Sequence, residues 1–352
     1  MDVSGEVGNS CSYGISRASA QGGIYQPPEI MGCRVNGKGK SIVIFLLKAL
    51  VTVACLWWLA RYFDYEQVRT VLAGINPLLL VVAIALHFLS FVAGGVRWWL
   101  LFRHLHGAIA FRQVWPSYYL GVFFNNLLPS IFGGDLARTA RLYTAGMGGS
   151  ALVSSAFVDR MLGLAAVVSM GAVALVFAPR DFENQLALGV FGLGVLAILP
   201  MVVIAVLPRW TGLLDGGFGS RWPRLHAVLA CFPRYRTAPG LVLTAFGLSV
   251  LNQLLVVVVL LMLAPGLGVH LPVFQFMVVL MLVFLVSSLP ISLGGLGARE
   301  GAMMSLMLPL GVDATSVLAL SVAYLLVLWS STLPGAFMLL LREPHATDTA
   351  AR

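Results

Sequence analysis

Charged residues are scarce in this chain. Asp, Glu, Lys and Arg make up 10% of the 352 residues, whereas hydrophobic residues make up 59%. A soluble domain carries about 25% charged residues. So few charges cannot cover a surface that faces water, and the mean hydropathy of +0.92 agrees. The shortage excludes a water-soluble globular protein and predicts an integral membrane protein that crosses the bilayer several times.

Cysteine is rare too, and the motifs of common metal, nucleotide and hydrolase sites are missing. The four cysteines have no metal-site spacing, and the sequence has no His-Glu-x-x-His, Gly-x-Ser-x-Gly or ATP-binding motif. We therefore expect no metal ion, no cofactor and no catalytic residue. The formal net charge is +8, but the basic residues lie in short loops between apolar runs. This spacing is typical of topology control, so we expect no nucleic-acid partner.

Long apolar runs are abundant, and ~20 such residues are enough to span a bilayer as a helix. The runs are 42–60, 77–96, 151–178, 186–207, 240–264, 271–289 and 314–341. Two shorter pieces are interpreted as a re-entrant hairpin (113–132) and as a short span or half-helix (296–310). The expected fold is all-α, with about eight transmembrane helices and one or two re-entrant or broken helices.

The ends of the chain differ from the middle. Residues 1–40 are polar and rich in Gly and Ser, so we expect a disordered N-terminal tail. Met31 is an alternative start, which would make 1–30 a start-site artefact. Residues 41–342 are expected to form a single transmembrane domain, followed by a short C-terminal tail at 343–352.

Loop charges predict an orientation. The stretches 97–112, which includes Arg97, and 208–239 are rich in arginine and carry one acid between them. Basic loops stay on the cytoplasmic side. The loops 179–185 and 265–270 have no basic excess and are placed outside. With this count, both termini are cytoplasmic.

A Leu-Pro-x-x-x-Gly-Gly string occurs twice, at 128–134 and 289–295. Proline and paired glycine interrupt helices, and a broken helix in a bilayer is tolerated only where protein or a wet cavity satisfies the freed backbone groups. Transporters are commonly built from repeats whose broken helices meet at the substrate site. The predicted helix-break residues are Pro129, Gly133, Gly134, Pro290, Gly294, Gly295 and Gly297.

Charges follow the first copy directly. Asp135 is predicted to cap a new helix, with Arg138 and Arg141 broadly on the same face. A helix N-terminus beside two guanidinium groups favours a phosphate. Asn125 and Asn126, just before the break, can satisfy freed backbone groups or contact a headgroup, and the sequence does not separate these roles.

Charges also follow the second copy, where Arg299 and Glu300 begin another predicted helix. The alternative interpretation is that Asp135 only caps, that Glu300 only complements a helix dipole, and that the arginines only set topology or meet lipid headgroups. Recurrence at the same spacing favours a shared site.

The pair Asp159-Arg160 lies inside an apolar run. A charge at the centre of a span costs roughly 2.5–3.5 kcal/mol on insertion scales, so such residues usually face a bundle interior. We predict that Arg160 pairs with Asp135 or Glu300, and that Asp159 pairs with Arg138, Arg141 or Arg299. The alternative is a purely structural salt bridge.

Three ordered motifs resemble a known family. They are Asn126-Leu-Leu-Pro129 with Gly133-Gly134-Asp135-x-x-Arg138, then Asp159-Arg160-x-x-Gly163-Leu164, then Pro290-x-Ser-x-Gly-Gly-Leu-Gly-x-Arg299-Glu300-Gly301. Together they are similar to the transmembrane domain of lysylphosphatidylglycerol synthases and their stand-alone flippase-like relatives. The resemblance covers roughly 40–342. It implies an eight-span helical domain with re-entrant segments.

The same resemblance implies a lipid cargo. In the two-domain members it implies translocation of an aminoacylated phospholipid between leaflets, and other relatives are linked to polyprenyl-linked glycan or hopanoid pathways. This sequence ends at Arg352 without the soluble aminoacyl-transferase domain, so we expect no synthase activity.

We therefore expect a flippase-like transporter of a phosphate-bearing lipid in a bacterial inner membrane. The alternatives are a non-transporting partner that presents a lipid to a separate biosynthetic enzyme and, third, a membrane-embedded lipid-modifying enzyme. The residues expected to contact the headgroup are Asn125, Asn126, Asp135, Arg138, Arg141, Asp159, Arg160, Arg299 and Glu300.

Overall fold

Helices make up nearly all of the chain that the structure describes. The computed structural model describes residues 70, 73–127, 133–178, 230–288 and 297–338, with isolated positions between 189 and 228. In these ranges the helices are α1 (Pro77–His106), α2 (Phe111–Leu127), α3 (Gly133–Thr144), α4 (Gly149–Phe177), α5 (Pro233–Arg236), α6 (Pro239–Leu263), α7 (Val273–Ser287), α8 (Ala298–Met307), α9 (Ala314–Thr332) and α10 (Pro334–Phe337). Over these residues the prediction of an all-α fold is confirmed.

Four helical segments are long and apolar enough to cross a bilayer. They are α1, α4, α6 and the stretch Ala314–Phe337 that joins α9 to α10, with mean hydropathies from 1.8 to 2.5. The protein is therefore an integral membrane protein. The runs 42–60 and most of 186–207 lie outside the described residues, so the total of eight spans stays a prediction.

The prediction of where the second apolar run ends was wrong. The run 77–96 stops at the first charge, but α1 continues through Arg97 to His106. The helix does not stop at Arg97 because the guanidinium group is buried and paired inside the bundle. Pairing removes the penalty that a lone charge would meet at this depth.

The short helix α7 lies at the centre of the main core. Val278, Val279, Leu280 and Met281 follow one another along it, and all four are fully buried. A helix that is apolar all round is stable when it is covered on every side. Residues of α4, α6 and α9 supply much of that cover. A second core contains Trp98 of α1 and apolar residues of α2, α3 and α4.

Helices α2 and α3 form an antiparallel hairpin. Gly134 lies against Asn125 and Gly121, and one turn later Arg138 lies against Gly121 and Tyr118. Later residues of α3 thus contact earlier residues of α2, so the two helices run antiparallel. The prediction that 113–132 turns back on itself as a re-entrant hairpin was wrong. Helix α2 is continuous to Leu127, and it packs against α3.

The hairpin depends on glycine where the two helices meet. A β-carbon added to Gly134 would overlap the Gly121 carbonyl oxygen, and one added to Gly121 would lie 2.7 Å from the Gly134 carbonyl oxygen. We expect Gly134→Ala to lower the free energy of unfolding by about 1–3 kcal/mol, as overpacking does. Gly247→Ala in α6 is the matched control, since its β-carbon meets nothing within 4 Å. Thermal unfolding in detergent checks this prediction, and equal midpoints for the two variants would contradict it.

The basic end of α1 lies beside the described residues that precede α6. The Tyr235 hydroxyl donates to the Leu101 carbonyl at 3.2 Å, and an Arg234 nitrogen donates to the Leu105 carbonyl at 3.2 Å. These contacts join the basic end of α1 to the segment before α6. At the other end, the rings of Phe177 and Phe274 lie 5.2 Å apart, which brings the end of α4 beside the start of α7.

Candidate functional site

A buried carboxylate joins two arginines between α1, α3 and α4. One oxygen of Asp159 accepts from Arg97 Nε at 2.6 Å, and the other accepts from an Arg138 terminal nitrogen at 3.1 Å. Another Arg97 nitrogen donates to the Ser249 hydroxyl of α6 at 2.9 Å. Four helices thus contribute to this cluster, and both carboxylate oxygens have a cationic donor.

A second carboxylate extends the network. Asp135 accepts from an Arg138 terminal nitrogen at 2.8 Å and from Arg160 Nε. Two of the predicted pairings, Arg160 with Asp135 and Asp159 with Arg138, are therefore present. We call Arg97, Asp135, Arg138, Asp159 and Arg160 the ion-pair network.

The predicted capping role of Asp135 was wrong. Helix α3 begins at Gly133, so Asp135 lies within its first turn, and the carboxylate oxygens are directed to arginines. The backbone N–H of Gly134, in the first turn of α3, instead donates to the Asn125 side chain at 3.1 Å. Asn125 therefore satisfies a backbone group freed by the break, while Asn126 donates to the Val122 carbonyl of its own helix at 3.4 Å.

Arg138 is the centre of the network. Its guanidinium carbon lies 4.3 Å from the Trp98 ring centroid and 5.4 Å from the Tyr118 ring centroid. Such cation–π contacts hold a guanidinium plane in one orientation. Its Nε has no hydrogen-bond partner among the described residues.

The sequence interpretation missed Arg97. It placed this residue in a cytoplasmic loop, whereas the side chain is buried within α1. One signal was available: Arg97 directly follows Gly94-Gly95-Val96 and precedes Trp98-Trp99, so no turn residues separate it from the apolar run. A helix that continues past a charge predicts a buried partner.

The network lies inside the bundle rather than at its end. Arg97 is about 14 Å from the end of α1, and Asp159 is about 15 Å from the start of α4, at 1.5 Å per residue. Both ends lie beside the segment that precedes α6, because Arg234 donates to the Leu105 carbonyl of α1 and the Ser154 hydroxyl of α4 donates to the Val228 carbonyl at 2.9 Å. The charges therefore lie roughly a third of the way through the longest helices.

Arg141 was one of three alternative partners for Asp159, and the structure has Arg138 in that place. Arg141 is buried, and a terminal nitrogen donates to the Met338 carbonyl at 2.5 Å. Met338 directly follows α10. Arg141 thus connects α3 to the end of the last described helix.

Arg299 and Glu300 form a separate cluster at the start of α8. Glu300 accepts from Arg299 at 2.5 Å, from the Ser321 hydroxyl at 2.9 Å and from the Gly297 backbone N–H at 2.6 Å. Gly297 has φ 83°, a conformation that favours glycine. Both side chains are buried. The possible pairings of Arg299 with Asp159 and of Glu300 with Arg160 are therefore replaced by a local pair.

Polar side chains continue from this cluster along α9. The Arg299 guanidinium lies 5.2 Å from the Tyr324 ring centroid. The Tyr324 hydroxyl lies 3.4 Å from His87 Nε2, and His87 Nδ1 lies 2.8 Å from the Ser331 hydroxyl. His87 is thus a packed and hydrogen-bonded histidine.

The other predicted break residues are only partly described. Gly133 and Gly134 begin α3, and Gly297 immediately precedes α8. Pro129, Pro290, Gly294 and Gly295 lie outside the described residues. A break followed by a charged helix start therefore stays a prediction for the motifs as a whole.

Arginine is the more numerous charged residue in the groups described above. These groups hold five arginines and three carboxylates: Arg97, Arg138, Arg141, Arg160, Arg299, Asp135, Asp159 and Glu300. Within the ion-pair network itself, three arginines share two carboxylates. The arrangement is suited to binding a phosphate, which arginine contacts through two parallel hydrogen bonds.

Comparison with known families gives a match over most of the chain. The family model described as lysylphosphatidylglycerol synthase TM region matches residues 45–335. The chain belongs to this family. The comparison found no soluble synthase domain. Membership in the family implies a lipid-handling role in a membrane, and every residue of the ion-pair network lies within the matched range. No curated protein matches the chain.

Proposed function

We propose that this protein is a flippase-like transporter that moves a phosphate-bearing lipid between the leaflets of a bacterial inner membrane. The cargo classes that fit are a phospholipid, an aminoacyl-phospholipid and a polyprenyl- or hopanoid-type lipid. The position of Arg97 and Arg138, buried inside the bundle with a third arginine, Arg160, at the more exposed end, carries the proposal. A phosphate headgroup would pair with arginines of the network, and the lipid chains would stay against the apolar exterior.

The position of the network supports translocation rather than surface binding. An arginine that only anchors lipid headgroups extends to the interface. Arg97 and Arg138 are instead buried between the helices, where both pair with Asp159. A buried ion network is weak evidence for stability, because apolar residues of similar volume often stabilise a protein as well or better. A charged ligand that passes through the bundle gives such a network a function that stability alone does not.

The proposed topology has eight spans and both termini in the cytoplasm. The basic end of α1 and the segment before α6 lie together, which supports a common cytoplasmic side for them. Residues 41–342 form the proposed transporting domain. The ion-pair network is the proposed site for a headgroup that enters from one leaflet. Arg299 and Glu300 form a proposed second headgroup site.

The test is a translocation assay in liposomes with Arg160→Gln. Arg160 is the least buried arginine of the network, so its loss should disturb the fold least. We expect leaflet exchange of labelled phosphatidylglycerol or a labelled polyprenyl phosphate to slow about tenfold, since a charge-assisted hydrogen bond contributes ~1.5–3 kcal/mol. The matched control is Arg103→Gln, an exposed arginine on α1, which should exchange lipid at the wild-type rate.

The same assay separates the transporter from a lipid-presenting partner. A presenting partner would bind the labelled lipid without exchanging it between leaflets, in the wild type and in both variants. Equal exchange by wild type and Arg160→Gln would remove the network from the pathway.

A further inference from the structure

The ion-pair network has a closed end and an open end. Asp159 and Arg138 have side chains that are 6% and 4% exposed, whereas Asp135 and Arg160 are 14% and 30% exposed. A headgroup that enters from lipid or water therefore meets the Asp135–Arg160 pair first. The Asp159 carboxylate lies behind it.

The two carboxylates have different surroundings. Asp159 lies on the long helix α4, and its partner Arg97 is also held by Ser249. Asp135 lies in the first turn of α3. It accepts from Arg160 at the open end and from Arg138, which lies directly behind it.

We infer that Asp135 is a built-in competitor for the lipid phosphate. With no lipid bound, its carboxylate neutralises Arg138 and Arg160. An arriving phosphate binds those two arginines and displaces the Asp135 side chain. Asp159 stays paired with Arg97 and Arg138. The inference rests on the proposed function and assigns a role to one residue within it.

Competition of this kind serves a transporter. A headgroup bound by two arginines without a competitor would leave slowly, and conduction requires binding that is weak enough to release. A carboxylate beside the bound phosphate lowers its affinity by like-charge repulsion. Asp135 would therefore weaken binding and speed release.

Asp135→Asn tests the inference. The amide keeps the shape of the side chain and removes the competing charge. In nanodiscs we expect it to bind phosphatidylglycerol or a polyprenyl phosphate about tenfold more tightly than wild type, within the usual range of coupling between two ligands. Leaflet exchange should become slower, although binding is tighter. A neutral glycosyl diacylglycerol should show no change in affinity.

The matched control is Asp313→Asn. Asp313 is exposed and caps α9 by accepting from the backbone N–H groups of Thr315 and Ser316. Asparagine caps a helix as well as aspartate does. This variant should therefore keep wild-type stability and affinity.

A thermal measurement covers the case in which Asp135→Asn is unstable. Without phosphate-bearing lipid its melting temperature should fall, because two arginines lose a counter-ion. Addition of that lipid should raise the melting temperature more than it does for wild type. A variant that cannot be purified even with the lipid present would overturn the inference, since the phosphate could then not replace the carboxylate.

The remaining outcomes separate the inference from the proposed function. If wild type exchanges phosphate-bearing lipid and Asp135→Asn binds it equally or more weakly, the competitor role is wrong and the proposed function stands. If neither protein binds either phosphate-bearing lipid, the proposed function is wrong and the inference is lost with it.

Discussion

Asp159→Asn should lower the free energy of unfolding by about 3–5 kcal/mol, the usual cost of removing one partner of a buried ion pair. The amide cannot neutralise Arg97 and Arg138, which would remain buried in an apolar bundle with one carboxylate, Asp135, left in the network. The amide nitrogen of the new side chain would also face one of the two guanidinium groups, so that two donors would lie against each other without an acceptor.

Chemical or thermal unfolding in detergent measures this effect. Asp313→Asn is the reference, because it makes the same chemical change at an exposed position. A difference of less than ~1 kcal/mol between the two variants, the size of an exposed ion pair, would mean that the Asp159 carboxylate is not buried between two arginines.

Glu300→Gln should have an effect of similar size, about 3–5 kcal/mol, for two reasons. It removes the counter-ion of the buried Arg299. It also leaves one amide oxygen where two carboxylate oxygens accept from Arg299, Ser321 and the Gly297 backbone. The start of α8 would then lose part of its cap.

The double variant Arg299→Met/Glu300→Gln separates these two causes. Removing both charges should restore most of the lost stability, because a neutral pair avoids a buried lone charge. If the double variant is no more stable than Glu300→Gln alone, the unpaired charge is not the cause, and loss of the cap must account for the effect.

Sequence reasoning included the pairs Arg160–Asp135 and Asp159–Arg138 among its alternatives, because charge inside an apolar run leaves few possible partners. A side chain such as Asp159 cannot face lipid, and the charges after the two breaks were the candidates. The same reasoning identified an all-α membrane protein, since long apolar runs of this length are helices in a bilayer.

The errors have physical causes. Arg97 was placed in a loop because an apolar window ends at the first charge, although burial with Asp159 lets α1 continue. Asp135 was assigned to a cap because short acidic side chains commonly cap helices, but two nearby arginines compete for its carboxylate. The bond of Arg141 to the Met338 carbonyl joins distant parts of the chain, and no periodicity in a sequence encodes such a contact.

The central claim is that the buried arginines carry a phosphate headgroup across the membrane. The most direct measurement is leaflet exchange by the wild-type protein in liposomes that hold labelled phosphatidylglycerol, a labelled polyprenyl phosphate or a labelled neutral glycosyl diacylglycerol. We expect at least one phosphate-bearing lipid to exchange faster than in protein-free liposomes, while the neutral lipid does not. Exchange of the neutral lipid at the same rate, or no acceleration of any of the three, would contradict the claim.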